Sequence, residues 1–510
     1  MVKDKSVSDQ YIAFDDLVPT LEYLQSKGYR LVICSNAIQP LKIRLILENN
    51  KLTAFFDPII ISGEVNCRKP DPKIIQLIKS KFPGVKDYEY VIIGDLIDRD
   101  ILCGLKSNIR TIWFTNEILD PKQCFKKLPN IKPDFIFAHY LQLKSLIDIL
   151  DKDALFISSQ SSEFQDNYRN ADNFKLLPSN KLQRVAYYFN KKKIADLSRI
   201  QMITSNDKIL FIPLLIDCPL ELQGPFNALI HKATDLLLDD TIMKKDNKYS
   251  MLLEYNAKNE GKMAFIDPIK NFKFSLDRML TNSTFDNVFR SNPFVELFKK
   301  FNKNLKIPTW TSELNNNPES TNSKIKLWMQ ANNVSFPLFL KPYISCQSNE
   351  SHLLSIAMSD KGLLELLKDK NYKGQTLTFQ IFVPHYNTIY KVYTIGEYMT
   401  ILIKKSLPSK LNFADYYFFD SQKPFPLELI QNLQTVDKLD RQFMSECCAI
   451  IQKAIWLTML GIDIIIDEVS DEYYLIDFNY LSSYKHEKNL NSLITKHILK
   501  CIQEQCHILS

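Results

Sequence analysis

Glycine is scarce in this chain. It occupies 11 of 510 positions, so there is little material for a glycine-built phosphate loop, in which bare backbone lets N–H groups approach a phosphate. The 10 cysteines are scattered, with no C-x-x-C pair and no His/Cys metal spacing. Reduced thiols in a cytoplasmic setting are the simple expectation. No apolar run approaches the ~18 residues of a transmembrane helix, and the polar start MVKDKSVSDQ offers no visible signal peptide. No dense Lys/Arg stripe with interleaved aromatics stands out, so the net charge of +6 does not point to nucleic acid, though it permits an anionic ligand. There is no internal repeat.

What is present is ordinary for a globular protein: 45% hydrophobic and 24% charged residues over a length that suits two or three domains. From residue 11 to about 150 the chain alternates helical and strand patterns. Leu17 to Lys27 reads as an amphipathic helix stopped by Gly28, and "RLVICSN" (30–36), "EYVIIGD" (89–95) and "IRTIWF" (109–114) read as apolar strands. Such alternation predicts a parallel α/β sheet with its functional groups at the carboxyl ends of the strands, where Ser35, Asn36 and Asp95 stand. Residues 151–183 lose periodicity and read as a linker; a second part begins with "RVAYYF" at Arg184, and 313–324, "ELNNNPESTNSK", reads as an Asn-rich loop.

Near the C-terminus, "GIDIIIDEVSDEYYLIDFN" (461–479) predicts a β-hairpin. Folded about Ser470, it sets Asp463 opposite Asp477, with Asn479 on the same face. Like charges directly across a ladder are destabilising. Two readings stand: an acidic surface hairpin whose aspartates end strands, or a clamp in which two carboxylates and an amide oxygen hold Mg²⁺.

The order Ser35-Asn36, Lys69 in "CRKPDPKII", then Asp95 and Asp100 in "GDLIDRD" resembles the haloacid dehalogenase (HAD) superfamily over roughly residues 12–145. That resemblance implies a Rossmannoid parallel sheet, a phosphoryl site at Ser35, Asn36 and Lys69, and Mg²⁺ at the final acids. The family's D-x-D nucleophile has no counterpart: "YIAFDD" offers Asp15 and Asp16 without that spacing, and the chain begins too late to supply it upstream. An acyl-phosphate needs the attacking carboxylate. The expectation is an inactive HAD-like domain over 1–150, with a truncated gene model as the other explanation.

From residue 184 a second resemblance runs to about 500. "VAYYFNKKKI", "GPFNALIHKATD", "FIDPIKNFKFSLDR", "FPLFLK", "QIFVPHYNTIYKVYTIGE" and "GIDIII…LIDFN" occur in the order of the inositol 1,3,4-trisphosphate 5/6-kinase family. The family implies an ATP-grasp fold over 184–510, with ATP contacts at Arg278, Lys341, the hinge Gln380, Ile381, Phe382 and Val383, and the serines Ser406 and Ser421. It implies substrate contacts at Lys193, Lys232, His352, Lys391 and Asn479. Mg²⁺ would be held by Asp463, Asp477 and Asn479, and catalysis carried by Lys391, Asp477 and Asn479. Read by themselves, Lys341 at a strand end could snorkel and Arg278 could be a solvated helix charge. Charge-assisted bonds from lysines suit a substrate of several dianionic groups.

Two places depart from the family. The loop after Lys341 reads "PYISCQSNESH", without the usual His-Gly, and Leu481-Ser482-Ser483-Tyr484 replaces a Pro-Gly-Tyr turn. The expected function is therefore an ATP- and Mg²⁺-dependent inositol-tetrakisphosphate 1-kinase / inositol 1,3,4-trisphosphate 5/6-kinase, acting as a cytoplasmic monomer. The alternative is a scaffold that binds inositol phosphates or nucleotide without turnover, and a bifunctional kinase–phosphatase is the third reading.

Overall fold

A computed structural model describes residues 16–115, 121–127, 130–190, 193–194, 196–197, 202–239, 247–344, 353–420, 423 and 432–506. The chain divides into two compact units. The first comprises residues 1–231, 254–264 and 489–510, and the second 232–253 and 265–488.

In the first unit the expected apolar strands form parallel pairs. β1 (Ile33–Ser35) lies beside β2 (Ile59–Ile61), and β3 (Val91–Gly94), β4 (Arg110–Phe114) and β5 (Phe135–Phe137) form a second sheet. Both sheets contribute to one apolar cluster, in which Ile60 and Ile92 pack on Ile74, Ile75 and Ile78 of the helix Lys73–Ser80. A further sheet is built from β6 (Gln183–Tyr188), β7 (Ile209–Pro213) and β8 (Ala228–His231), and β9 (Ala264–Ile266) straddles the division between the units, with only Ala264 in the first. β6 pairs in parallel with both β7 and β8.

Residues 151–183 differ from the expected linker. The helix Tyr140–Ser158 runs into this stretch, Ser162–Asp166 and Ala171–Lys175 are helical, and Tyr168 is fully buried. The cause is polar burial that periodicity does not reveal. Arg110 Nη1 donates to Asp153 Oδ2 at 2.9 Å, and Asp153 Oδ1 accepts the Ser179 N–H at 2.9 Å.

The second unit holds two five-stranded sheets. Its strands are β10 (Leu305–Lys306), β11 (Trp310–Leu314), β12 (Leu338–Pro342), β13 (Leu353–Ala357), β14 (Thr376–Ile381), β15 (Thr388–Ile395), β16 (Tyr398–Lys405), β17 (Tyr416–Asp420), β18 (Leu460–Ile466) and β19 (Tyr473–Tyr480). One sheet has the order β11-β14-β12-β13-β17 and the other β10-β19-β18-β15-β16. In the first of these, alternation decides the faces. Leu338 and Leu340 enter a core with Ile325 and Met329 of the helix Pro318–Ala331 and Leu363, Leu366 and Leu367 of the helix Asp360–Lys368. Phe339 and Lys341 are left on the opposite face.

The stretch 313–324 is not a loop. Leu314 ends β11, and Asn317 caps the helix Pro318–Ala331, its side chain accepting the Ser320 N–H at 2.9 Å. Asn, then Pro, then Glu is a helix N-terminus signature as much as a loop composition. Among the described residues, no helix is long and apolar enough to cross a membrane.

Candidate functional site

The hairpin β18–β19 pairs Asp463 with Asp477 by a route the sequence does not announce. Ile466 pairs with Tyr473 and Ile464 with Leu475, but the register then shifts and Asp463 pairs with Asp477. Ile476 is the extra residue of a β-bulge, which leaves it out of the ladder. Its free carbonyl accepts a hydrogen bond from Lys341 Nζ at 2.9 Å.

Lys391 of β15 is the register partner of Asp463 on the other side. Three neighbouring strands thus carry a row of lysine, aspartate and aspartate on one face. Lys391 Nζ reaches Asp463 Oδ2 at 2.5 Å, and Asn479 Nδ2 donates to Asp477 Oδ2 at 2.9 Å. Burial pushes the Asp463 carboxyl upward; Lys391 works against this, and the Asp477 charge adds to it. Burial likewise pushes the Lys341 ammonium down to about 8, with the acids opposing the shift and Arg278 reinforcing it. Lys341 also lies over the Phe339 ring, 5.3 Å from its centroid.

These groups line a cavity of about 800 Å³ within the second unit. One wall comes from the sheet of β12, with Phe339, Lys341 and Gln380; the other comes from the sheet of β18, with Lys391, Asp463 and Asp477. Lys232, Arg278, Ile381, Phe382, Val383, Ser406 and Asn479 are also in the lining. Arg278 opens the helix Arg278–Phe289, and its guanidinium donates to the carbonyls of Pro342 and Ile344 at the end of β12. Lys232 Nζ donates to the Leu481 carbonyl at 3.3 Å, inside the turn that departs from the family. Lys193 belongs to the first unit, where its backbone N–H donates to Asn190 Oδ1 at 2.8 Å. His352 and Ser421 lie outside the described residues.

Sequence reasoning passed over Lys404, Lys405, Lys423 and His385, all of which line the same cavity. The signal for the first two was present: the pair closes the strand-like run just before Ser406. The lining holds Lys232, Arg278, Lys341, Lys391 and these three further lysines against Asp463 and Asp477, an excess of cations suited to polyanions.

Among the described residues, no cluster of three or more His, Cys, Asp or Glu side chains could hold a metal ion. The candidate set is therefore two acids and an amide, all hard oxygen donors, which fits Mg²⁺ that retains water or phosphate ligands.

In the first unit, Asn36 Nδ2 donates to the Lys69 carbonyl at 2.8 Å, and Lys69 N–H donates to Asn36 Oδ1 at 2.9 Å. Lys69 Nζ lies 2.5 Å from Asp100 Oδ1 and donates to the Cys34 carbonyl at 2.6 Å. Burial and the Asp100 charge push the Asp95 carboxyl upward. Asp16 is engaged elsewhere: its carboxylate lies 2.8 Å from His139 Nδ1 and accepts the Leu141 N–H at 3.2 Å. Asp15 lies outside the described residues.

Comparison with known proteins gives two separate matches. Residues 315–500 match the inositol 1,3,4-trisphosphate 5/6-kinase ATP-grasp domain, and residues 2–114 match the haloacid dehalogenase-like hydrolases. The chain is 24% identical to an inositol-tetrakisphosphate 1-kinase of Xenopus laevis over 63% of its own length and 79% of the relative's. It is 25% identical to one of Danio rerio over 63% and 80%, and 25% identical to inositol-tetrakisphosphate 1-kinase 3 of Arabidopsis thaliana over 63% and 86%. Two separate stretches of the chain are thus similar to two families, residues 2–114 to the haloacid dehalogenase-like hydrolases and residues 315–500 to the inositol 1,3,4-trisphosphate 5/6-kinase ATP-grasp domain.

Proposed function

We propose that the chain transfers the γ-phosphoryl group of ATP to a ring hydroxyl of an inositol polyphosphate, with inositol 1,3,4-trisphosphate, at its 5 or 6 position, as the expected acceptor. The observation that carries the reading is the row Lys391–Asp463–Asp477 on the wall of a cavity crowded with cations. In this reading Arg278, Lys341 and the run Gln380–Val383 hold ATP, with Ser406 at its edge. Lys232, Lys391 and Asn479 hold the inositol phosphate, and the resemblance adds His352 and Ser421 to the two sets; Lys193, the other lysine it names, stands in the first unit.

Asp463, Asp477 and Asn479 would hold Mg²⁺, whose charge helps neutralise the ATP phosphates when bound. The ring oxygen attacks the γ-phosphorus, the bond to the β–γ bridging oxygen breaks, ADP leaves and the hydroxyl proton is released. Phosphoryl transfer asks chiefly for positioning and charge neutralisation. Lys391 suits that role: its ion pair with Asp463 raises its pKa against the effect of burial, so it stays protonated and donates. In the first unit, the engagement of Asp16 with His139 favours a segment without phosphatase turnover.

The test is incubation of the full chain with ATP, Mg²⁺ and a panel of inositol tris- to hexakisphosphates, with products separated by chromatography. Transfer to at least one member is expected. A second reading, binding without turnover, is favoured by one contact, Lys232 tied to the carbonyl of Leu481. Tight ATP and inositol phosphate binding with no product from any member would establish that reading instead.

A further inference from the structure

His385 stands in the connection between β14 and β15. It is 4% exposed, and both ring nitrogens are engaged. Nδ1 lies 2.6 Å from the Val383 carbonyl oxygen and Nε2 lies 2.8 Å from Ser406 Oγ. A carbonyl oxygen only accepts, so Nδ1 carries the proton. Burial holds the ring neutral, which leaves Nε2 a lone pair and requires the Ser406 hydroxyl to donate to it. A hydroxyl has one proton. Ser406 therefore turns only lone pairs toward the cavity it lines.

The backbone reinforces this arrangement. His385 N–H donates to Ser409 Oγ at 3.2 Å, Ser409 N–H donates to Asn387 Oδ1 at 2.9 Å, and Ser406 N–H donates to the Asn387 carbonyl at 2.9 Å. The end of the run Gln380–Val383 and the segment 406–409 are held as one piece.

We propose that His385 is a positioning residue of the nucleotide site, fixing Ser406 as a hydrogen-bond acceptor for a donor on the nucleoside, a ribose hydroxyl or the adenine amine, rather than for a phosphate oxygen. The proposal rests on the nucleotide reading of the cavity. It separates His385 from a residue that merely ties two loops, because the polarity of Ser406 decides which part of the ligand feels the change.

The experiment measures ATP binding to the full chain by calorimetry, with adenosine and inorganic tripolyphosphate as competing probes. The variants are Ser406→Ala, His385→Asn, His385→Gln and the double variant His385→Asn/Ser406→Ala. Asn keeps a donor near the Nδ1 position and loses the acceptor; Gln keeps an acceptor near the Nε2 position.

Loss of one hydrogen bond corresponds to about two- to tenfold in affinity. Ser406→Ala and His385→Asn should each weaken ATP and adenosine by that factor and leave tripolyphosphate unchanged. His385→Gln should recover part of the loss, and the double variant should bind no more weakly than Ser406→Ala. Losses that add in the double variant, or that fall on tripolyphosphate, overturn the proposal. Unchanged ATP binding in every variant sinks the positioning role alone. A wild-type chain that binds no ATP sinks the nucleotide reading itself. Thermal melts establish folding, and if His385→Asn does not fold, Ser406→Ala and His385→Gln with the two probes carry the same decision.

Discussion

Lys391 on β15 is the cross-strand partner of Asp463 on β18, and its ammonium sits 2.5 Å from the carboxylate. Two like charges facing each other across a ladder demand a counter-charge, and the protein supplies one from its own sheet. The divalent ion inferred from the sequence is thus not the sole partner of the opposed acids. Lysine neutralises Asp463 from one side, and Asp477, with Asn479 beside it, is left as the outer acid of the row.

Lys391→Met is expected to lower stability by about 1 to 3 kcal/mol, because it leaves a buried carboxylate without its partner. Denaturant melts should show Lys391→Met/Asp463→Asn recovering most of that loss. A double variant as unstable as the single one would mean that the pair contributes little.

Asp477→Ala is expected to reduce phosphoryl transfer by about a hundredfold or more while the circular dichroism spectrum stays that of the wild type. Initial rates across a Mg²⁺ series check it. Turnover within a few-fold of wild type removes Asp477 from the proposed metal set.

Asp267 gives a pH dependence with a definite sign. Burial pushes its carboxyl up to about 6, even though the Thr458 hydroxyl and the N–H groups of Thr458 and Met459 donate to it. Its pKa in the unfolded chain is about 3.9. The protonated form is favoured in the fold, so the stability linked to this group is complete below about 3.9 and is lost as pH rises through about 6. Melting temperatures of the wild type measured against Asp267→Asn should fall across that window and level off above it. A difference that does not vary with pH contradicts the assignment.

A Cβ added at Gly461 on β18 would lie 2.1 Å from Ser482 Oγ and 3.1 Å from Ser482 Cβ, so the Ser482 side chain must give way. Gly461→Ala should displace the turn Leu481–Tyr484 and cost about 1 to 3 kcal/mol. If that turn meets the inositol phosphate, the KM for the acceptor rises more than the KM for ATP, and Gly461→Ala/Ser482→Gly restores both stability and KM. Equal changes in the two KM values would place the turn away from the acceptor.

Much of the fold was legible because its signals are local. Apolar runs gave β1, β3, β4 and the hairpin, and "FPLFLK" placed Lys341 near a strand end, though only the structure shows that it lies opposite the core face. What escaped was non-local. The meeting of Lys391 with Asp463 depends on β15 and β18 being neighbours across 72 residues, which no spacing encodes. The facing of Asp463 and Asp477 was anticipated from a symmetric fold about Ser470, yet it arises from an offset ladder corrected by the bulge at Ile476. His385 in "VPHYN" reads as turn composition, and only burial reveals its two partners. The ordered stretch 151–183 escaped because its anchors, Asp153 to Arg110 and Ser179, are polar rather than periodic.

The first unit is discontinuous, and that has a consequence for biogenesis. Asn206 donates through Nδ2 to Asn491 Oδ1 and to Thr495 Oγ1, at sequence separations of 285 and 289, and Asn491 Nδ2 donates back to the Thr204 carbonyl. These partners sit on the helix Leu490–Gln505, translated after the whole second unit. The nascent first unit therefore emerges from the ribosome without its closing helix, and a premature stop near residue 489 would injure the early-made part of the molecule rather than the late one.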